Sequence, residues 1–268
     1  MTTLLYEKNE GTATITFNRP EARNALTPEM LCRLADAIQD FAADDSLRVA
    51  IITGAGDKAF CAGGDLATTL PLLTGARAPA DAWDRRLLED PMTAAASSLR
   101  DFALYKPVIA AVNGACMAAG TELMLATDIR VAAEHASFGL PEVTRAVLPF
   151  AGSMARLPRQ VSYCHAMELL LVGEAISAAD ARRIGLVNHV VPPNEVRAKA
   201  ESLARKIAAN GPLAVQQVKQ AVLAASGLPL AQAYRIEDEA KRVVMASEDA
   251  REGPRAFVER RLPHYVGR

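Results

Sequence analysis

Short apolar segments separated by helical patterns constrain the fold of this chain more than any other feature. Residues 48–53 (RVAIIT) and 107–112 (PVIAAV) each predict a buried strand, and residues 129–132 and 187–191 predict further short strands. Because these strands alternate with helical stretches, the sequence indicates an α/β core in which helices cover a sheet.

The first forty residues predict one strand and one helix. Between residues 12 and 17 threonines alternate with apolar residues, which predicts a half-exposed strand with one face formed by Ala13, Ile15 and Phe17. Thr27 before Pro28 is a favourable pair for the N-cap and first position of a helix. Apolar residues then recur at helical spacing, so we expect an amphipathic helix of about four turns that carries Leu31, Leu34, Ile38 and Phe41.

The last quarter of the chain shows helical spacing alone. Three stretches after residue 195 place apolar residues three or four positions apart, at Val196, Ala200, Leu203 and Ile207, at Val215, Val218, Val222 and Ala225, and at Ile236, Ala240 and Val243. We therefore divide the chain into a core at 1–195 and a helical region at 196–268, which docks on the core or on another subunit. Residues 66–100 contain three prolines and a glycine and predict a loop with a broken helix.

Composition excludes several classes of protein. The formal net charge is −1, from 30 basic and 31 acidic residues, which argues against a nucleic-acid partner. We expect neither disulfides nor a metal site, because the cysteines lie far apart and form no CxxC pair: Cys32, Cys61, Cys116 and Cys164. No apolar run of about 18 residues predicts a membrane span. The charged first ten residues lack a signal region, so we expect a cytoplasmic location.

Residues 58–65 (KAFCAGGD) form the first of three segments that could carry chemistry. Their small side chains follow a strand and a glycine-rich turn, so a ligand could approach the backbone closely and meet free N–H groups. Taken alone the pattern is weak, because a tight turn without any ligand would look similar.

The second and third segments each carry one glutamate. In residues 113–123 (NGACMAAGTEL) a strand ends and a helix begins near Ala119, where unpaired N–H groups and the helix dipole favour negative charge. Glu122 lies in the first turn within an apolar run, where an unpaired carboxylate is costly, which favours a functional role. In residues 137–142 (SFGLPE) a proline precedes Glu142 and restricts its loop, although an ordinary loop carboxylate would look similar.

Taken in order, several motifs resemble the enoyl-coenzyme A hydratase/isomerase (crotonase) superfamily from about Arg19 to the C-terminus. The motifs are FCAGGDL, KPVIAAVNG with AAGTEL, SFGLPEV, LPxAG with RLPR, and EGPRAFVERR. The resemblance implies an α/β fold built as a spiral of ββα units, followed by C-terminal helices that form trimers or dimers of trimers. It also implies an acyl-coenzyme A thioester as substrate, no cofactor beyond the coenzyme A of that substrate, and a place in fatty acid metabolism.

The same resemblance implies roles for individual residues. Glu122 would activate water and Glu142 would deliver a proton to the α-carbon of an enoyl thioester, while the N–H groups of Ala62 and Ala119 would form an oxyanion hole. The residues implied to line the substrate and coenzyme A site are Arg23, Ala59, Cys61, Gly63, Gly64, Asp65, Leu66, Phe150, Phe257 and Arg260.

Three departures from the family pattern bear on the site. Glycines are usual at Ala118 and Ala119, and alanine tolerates positive φ poorly, so the hole requires a near-helical backbone there. Phe150 replaces a glycine beside the expected water and would reshape the acyl pocket. The long segment 66–106 is expected to add to the pocket wall through Trp83, Leu87 and Leu88, although plain packing also explains Trp83.

Other activities of the same fold remain open at this point. An isomerase, a specialised acyl-coenzyme A dehydratase and a catalytically weak acyl-coenzyme A-binding relative are alternatives to a hydratase. Two glutamates favour hydration, because an isomerase can work with one. The length and substitution of the acyl group are not specified by the sequence.

Overall fold

A computed structural model describes residues 2–268, so Met1, the first residue of the predicted core region, lies outside the described residues. The strands are β1 (Leu4–Asn9), β2 (Thr12–Phe17), β3 (Val49–Gly54), β4 (Ala59–Cys61), β5 (Val108–Val112), β6 (Ala115–Met117), β7 (Ile129–Ala133), β8 (Ser137–Gly139), β9 (Ile176–Ser177) and β10 (His189–Val191). The helices are α1 (Pro28–Ala43), α2 (Thr69–Leu73), α3 (Ala82–Glu89), α4 (Pro91–Ser98), α5 (Ala119–Leu125), α6 (Ser153–Gln160), α7 (Tyr163–Val172), α8 (Ala178–Arg183), α9 (Val196–Ala208), α10 (Pro212–Ala225), α11 (Leu230–Met245) and α12 (Asp249–Val258).

The strands form two sheets. The larger sheet has the order β1-β2-β3-β5-β7-β10 and is parallel except for the antiparallel pair β1–β2. The smaller sheet has the order β4-β6-β8-β9, with β9 antiparallel to β8. Each strand of the larger sheet from β3 to β7 is followed by a strand of the smaller sheet, β3 by β4, β5 by β6 and β7 by β8. The predicted spiral of ββα units is thus confirmed.

The local patterns at the start of the chain fold as their chemistry predicts. Strand β2 alternates between buried and half-buried residues along its six positions. Helix α1 begins where Thr27 accepts a hydrogen bond on Oγ1 from the N–H of Met30 at 3.2 Å, with Pro28 in the first turn. Its apolar face is buried through Leu34, Ile38 and Phe41. The predicted strand and helix are therefore confirmed.

The centre of the molecule lies between the two sheets. Strand β5 is buried along its whole length, and strand β3 at all but one position. Phe17 of the larger sheet and Phe60 of the smaller sheet meet edge to face, with ring centroids 5.6 Å apart and planes at 81°. Such a pair contributes on the order of 1 kcal/mol beyond the burial of its area.

The segment at 66–100 is more ordered than the predicted loop with a broken helix. It forms the three short helices α2, α3 and α4, of which α3 and α4 pack on α1. Leu87 is buried in a small cluster with Cys32 and Leu72, and Trp83 packs on its edge with its ring 5.3 Å from the guanidinium of Arg33. Trp83 and Leu87 thus pack against α1, and the place of Trp83, Leu87 and Leu88 in the acyl-pocket wall stays a prediction.

Helix α9 begins at Val196, the first residue of the predicted helical region, but it is part of the core. Val196, Ala200 and Ala204 are buried, and α9 packs on β3, β5 and β7. Helices α10 and α11 have no buried residue, and their role in oligomerisation stays a prediction. Across residues 2–268 no helix is both long enough and apolar enough to span a bilayer.

Candidate active site

Helix α5 begins directly against the smaller sheet. A Cβ atom on Gly120 would lie 2.6 Å from the carbonyl oxygen of Cys61, so glycine is what allows the helix to approach β4 this closely. Ala119 is the first residue of α5 and has no positive φ, so the condition set by the sequence is met at Ala119 but not at Ala118, whose φ is positive. Its N–H has no hydrogen-bond partner within residues 2–268 and is free to donate.

The predicted oxyanion donor Ala62 is wrong. Its N–H donates to the carbonyl oxygen of Arg23 at 3.0 Å, so it is already used within the protein. The N–H of Gly63 points at Cys61 Sγ, 3.4 Å away. Among residues 62–65, the N–H of Gly64 is the one without a partner in the described part of the chain. On either side of it, the carbonyl oxygen of Gly63 accepts from the N–H of Leu26, and the N–H of Asp65 donates to the carbonyl oxygen of Leu26. Gly64 therefore replaces Ala62 as the free donor.

The two free N–H groups belong to segments in direct contact. A Cβ atom on Gly63 would lie 3.5 Å from the nitrogen of Ala119 and 2.6 Å from the Cβ of Ala118. Ala118 has φ 51° and ψ −127°, a conformation that favours glycine. Strain of this kind costs about 1–3 kcal/mol and is typical of functional sites. The chain accepts it where the donors of Gly64 and Ala119 come together.

Glu122 lies one turn into α5 and is only 3% exposed. Its Oε1 accepts hydrogen bonds from the N–H of Ala151 at 2.7 Å, from Ser153 Oγ at 2.9 Å and, more weakly, from the N–H of Ser153 at 3.4 Å. Burial raises the pKa of Glu122 above its ordinary value, while these hydrogen bonds and the guanidinium of Arg156 act in the opposite direction. The buried position favoured by the sequence is therefore present.

Glu142 follows β8 in a short 3-10 turn, Pro141–Arg145. Its Oε2 is buried and has no hydrogen-bond partner within the described part of the chain. Burial raises the pKa of Glu142 to about 7, and the negative charge of Glu122 acts in the same direction. The two carboxylates thus influence each other, and Glu142 holds a proton more strongly than an exposed glutamate.

Residues that sequence reasoning missed hold these groups in place. Arg156 donates to the carbonyl oxygens of Leu99 and, at 3.2 Å, Ala151, which joins the loop before α6 to the end of α4. Arg130 is 7% exposed and closes the other end of α5. Its guanidinium donates to backbone carbonyl oxygens of Met124, Leu125, Thr127 and Leu186. The only sequence signal for Arg130 is one charge inside an apolar strand.

The predicted ligand-lining residues fall into different groups. Arg23 and Leu66 are exposed beside the Gly63–Gly64 segment, whereas the side chains of Ala59 and Cys61 are fully buried beneath it. Asp65 has a carboxylate that is occupied within the protein, and its place in the ligand site stays a prediction. It accepts from Arg19 at 3.0 Å and from the N–H groups of Ala67 and Thr68 at 3.0 Å each.

Phe150, Phe257 and Arg260 differ in how they relate to the two glutamates. Phe150 directly precedes Ala151, and its ring is 53% exposed rather than packed in the core. Its carbonyl oxygen accepts a hydrogen bond from Arg100 at 2.7 Å. Phe257 and Arg260 are exposed at the end of α12, which packs on α11, and the fold of one chain does not bring them to the site.

Clusters of three or more His, Cys, Asp or Glu residues suited to a metal ion do not occur between residues 2 and 268. The groups that the site offers are two carboxyl groups and two backbone N–H donors.

Comparisons with known proteins agree with this geometry. The family model described as "Enoyl-CoA hydratase/isomerase" matches residues 7–268. The enoyl-CoA hydratase EchA19 of Mycobacterium tuberculosis is 42% identical, over 98% of this chain and 96% of its own. The (E)-benzylidenesuccinyl-CoA hydratase of Thauera aromatica is 38% identical, over 97% and 98%.

A solved structure extends the similarity to three dimensions. The crystal structure of an enoyl-CoA hydratase from Bacillus anthracis superposes with a TM-score of 0.89 at 36% identity and covers 100% of both chains. A match of this extent, together with the buried Glu122, the half-buried Glu142 and the two free N–H groups, identifies the family. The chain belongs to the enoyl-CoA hydratase/isomerase family.

Proposed function

We propose that this protein catalyses the reversible addition of water across the 2,3 double bond of an enoyl-coenzyme A thioester. The observation that carries the proposal is a pair of carboxyl groups, the buried Glu122 and the half-buried Glu142 with its buried Oε2, beside two backbone N–H groups that have no partner within residues 2–268. Two carboxyl groups favour hydration over isomerisation, since hydration needs a base for water and an acid for carbon.

The free N–H groups of Gly64 and Ala119 are suited to the thioester oxygen. When water adds to the β-carbon, negative charge develops on that oxygen as an enolate. Donors that are already oriented stabilise this charge, and the loss of one such donor typically costs about 10²- to 10³-fold in rate. The positive end of the α5 dipole lies at Ala119 and acts in the same direction.

The two glutamates are assigned different roles because their surroundings differ. Glu122 has three hydrogen-bond donors on Oε1, which favour its ionised form, so we assign it to water activation. Glu142 has an unpartnered buried oxygen and a pKa raised to about 7 by burial, so we assign it to protonation of the α-carbon. After one turnover in the hydration direction Glu122 is protonated and Glu142 is ionised. Proton exchange with solvent then restores an ionised Glu122 and a protonated Glu142.

The acyl group is proposed to be specialised rather than short and generic. Phe150 takes the place of a small residue directly before Ala151, and relatives of similar identity are named for different acyl groups, including (E)-benzylidenesuccinyl-CoA. Arg23, exposed beside the Gly63–Gly64 segment, is proposed to bind a phosphate of coenzyme A. The proposed reaction consumes only the thioester and water, so it requires no further cofactor.

We also propose that the protein works in the cytoplasm, in fatty acid metabolism, as a trimer or dimer of trimers. Helices α10 and α11 leave several large apolar side chains exposed: Val218, Val222, Leu223, Leu230 and Tyr234. A neighbouring subunit on this face would remove them from water. It would also give Phe257 and Arg260, at the end of α12, a substrate to contact across the interface. Light scattering on the purified protein measures the assembly directly.

The function is tested by the hydration of crotonyl-coenzyme A, which is measured as the loss of the enone absorbance. Glu122→Gln and Glu142→Gln should each lower kcat by about 10²- to 10⁴-fold, the range for general acid–base groups. Glu134→Gln, at an exposed glutamate between β7 and β8, is the matched control and should keep full activity. Near-full activity of Glu142→Gln would contradict the assigned roles. Binding without turnover across a panel of enoyl and 3-hydroxyacyl esters would instead favour a binding protein.

A further inference from the structure

The hydrogen bonds to Glu122 are distributed unevenly between its two oxygens. The donors from Ala151 and Ser153 all point at Oε1, and Oε2 receives none from residues 2–268. Although Oε2 has no such partner, it is not fully buried, so it keeps some contact with solvent. One oxygen is thus held by the protein and the other is left for water.

Ser153 supplies the side-chain donor in this arrangement. It is 0% exposed and lies in the first turn of α6, so its hydroxyl cannot turn to bulk water. The hydroxyl has two acceptors within reach, Glu122 Oε1 at 2.9 Å and the carbonyl oxygen of Pro149 at 3.4 Å. A charged acceptor at the shorter distance is the stronger one, so the proton points at Glu122 while that carboxyl is ionised.

We propose that Ser153 is a positioning residue for Glu122, whose hydroxyl holds Oε1 and leaves Oε2 as the oxygen that takes a proton from water. The proposal rests on the proposed function. When Oε2 has accepted that proton, the carboxyl is neutral and the Ser153 hydroxyl can turn to the carbonyl oxygen of Pro149. The hydroxyl therefore favours the ionised carboxylate and releases it once the proton has moved.

Few other charged groups face Glu122. Helix α6 places Arg156 near it and the 3-10 turn after β8 places Glu142 near it, as their mutual effects on pKa show. Helix α4, which packs on α5, carries no charged side chain. Strands β4 and β6 bring the thiols of Cys61 and Cys116, whose pKa values burial raises, so both are neutral. Ser153 is the neutral side chain that bonds Glu122 directly.

A direct titration of Glu122 tests the proposal apart from activity. The carboxyl stretch is followed by infrared spectroscopy against pH in a Glu142→Gln background and is assigned by its loss when Glu122→Gln is added. Removing the hydroxyl in Ser153→Ala disfavours the ionised form, so the midpoint should rise by about one pH unit, a tenfold change in the ionisation constant. Ser153→Thr keeps a hydroxyl and should restore the original midpoint.

Ser97→Ala is the matched control, since Ser97 is a buried serine of α4 whose hydroxyl, within residues 2–268, bonds only the carbonyl oxygen of Ala94. In Ser97→Ala the midpoint of the Glu122 titration should not move. In the otherwise wild-type enzyme, Ser153→Ala should shift the acidic limb of the kcat/KM profile upward by the same amount. If Ser153→Ala does not fold, Ser153→Gly removes the same hydroxyl.

An unchanged midpoint in Ser153→Ala overturns the proposal, even if activity falls, because the serine would then act only by packing. If the unmodified protein hydrates no enoyl ester, the proposed function fails, while the infrared midpoints still decide whether Ser153 controls Glu122.

Discussion

Gly63 and Ala118 meet where the two segments with free N–H groups come together, and there is no room between them for another carbon. A Cβ atom on Gly63 would lie 2.6 Å from the Cβ of Ala118, and Gly63 itself has φ 101°. Contacts below 3.0 Å between such atoms essentially never occur, so one of the two segments would have to move. The spacing of the Gly64 and Ala119 donors therefore depends on this pair.

Gly63→Ala should lower kcat strongly while leaving the protein folded. The new methyl group pushes the two donor segments apart, and misplacement by about 1 Å can cost on the order of 10²-fold in rate. Steady-state kinetics with crotonyl-coenzyme A, together with circular dichroism, measure both effects. Gly75→Ala is the control, since Gly75 also has positive φ but its Cβ would meet nothing within 4 Å. Normal kcat in Gly63→Ala would contradict the close approach.

Ala118→Gly should stabilise the protein. The strain at φ 51° and ψ −127° is released, about 1–3 kcal/mol, and the added freedom of glycine in the unfolded chain costs about 0.5–1 kcal/mol. The net gain is about 1 kcal/mol, which for a chain of this length corresponds to a rise in Tm of about 2 °C. Differential scanning calorimetry measures it, and a lower Tm would show that the backbone of Ala118 is unstrained.

Five of the six strands of the larger sheet could be predicted from the sequence, whereas β1 and the smaller sheet could not. Strands β3 and β5 are buried on both faces, so their apolar runs are continuous and distinct. Strands β4, β6 and β8 have three residues each, and at that length an alternating pattern cannot be told from chance. They were visible only as the chemical motifs that include them. Helix α6 could not be predicted either, because Pro158 lies inside it and a proline predicts a break in a helix.

In the site, the glutamates could be predicted and the hydrogen bonds around them could not. Glu122 and Glu142 are unusual residues in apolar segments, which a sequence shows directly. Which backbone N–H is free depends on pairing with distant residues, and the bond from Ala62 to the carbonyl oxygen of Arg23 leaves no trace in composition or spacing. Ser153 could not be assigned a role because its partner, Glu122, lies 31 residues away in the sequence. Arg130 could not be assigned one because its partners are backbone carbonyl groups.

Glu142→Gln should stabilise the protein at high pH even as it lowers activity. The pKa of Glu142 is raised in the folded state from 4.5 to about 7, so folding favours its neutral form. Below pH 4.5 the carboxyl is neutral in both states and no penalty exists. Between pH 4.5 and about 7 the unfolded chain ionises first, and stability is lost as pH rises through this window.

The variant has no carboxyl at this position and escapes that loss. Its Tm should therefore exceed that of the wild type by an amount that grows through the window and is constant above it. Calorimetry over a pH series measures the difference. Equal Tm values at every pH would show that Glu142 is well solvated.

Arg130→Met should destabilise the protein and lower activity together. The change keeps an unbranched side chain but leaves buried carbonyl oxygens at the end of α5 without donors, each of which costs about 1–3 kcal/mol. We expect a loss on the order of 3 kcal/mol in the free energy of unfolding, measured by urea denaturation. Arg159→Met removes an exposed arginine of α6 whose one partner in the described part of the chain is the carbonyl oxygen of Ala155, and should change little. An unchanged free energy of unfolding in Arg130→Met would mean that the end of α5 rearranges when the guanidinium is lost.

Replacing single amides with esters distinguishes Gly64 from Ala62 as the oxyanion donor. Cell-free translation with glycolic acid at position 64 or lactic acid at position 62 removes one N–H and leaves the side chain unchanged. At Gly64 the N–H has no partner in residues 2–268, so stability should hold while kcat falls by about 10²- to 10³-fold. At Ala62 the bond to Arg23 is lost, so stability should fall by about 1 kcal/mol with a much smaller effect on kcat. The reverse pattern would restore Ala62 as the donor, and with it the assignment that the resemblance implies.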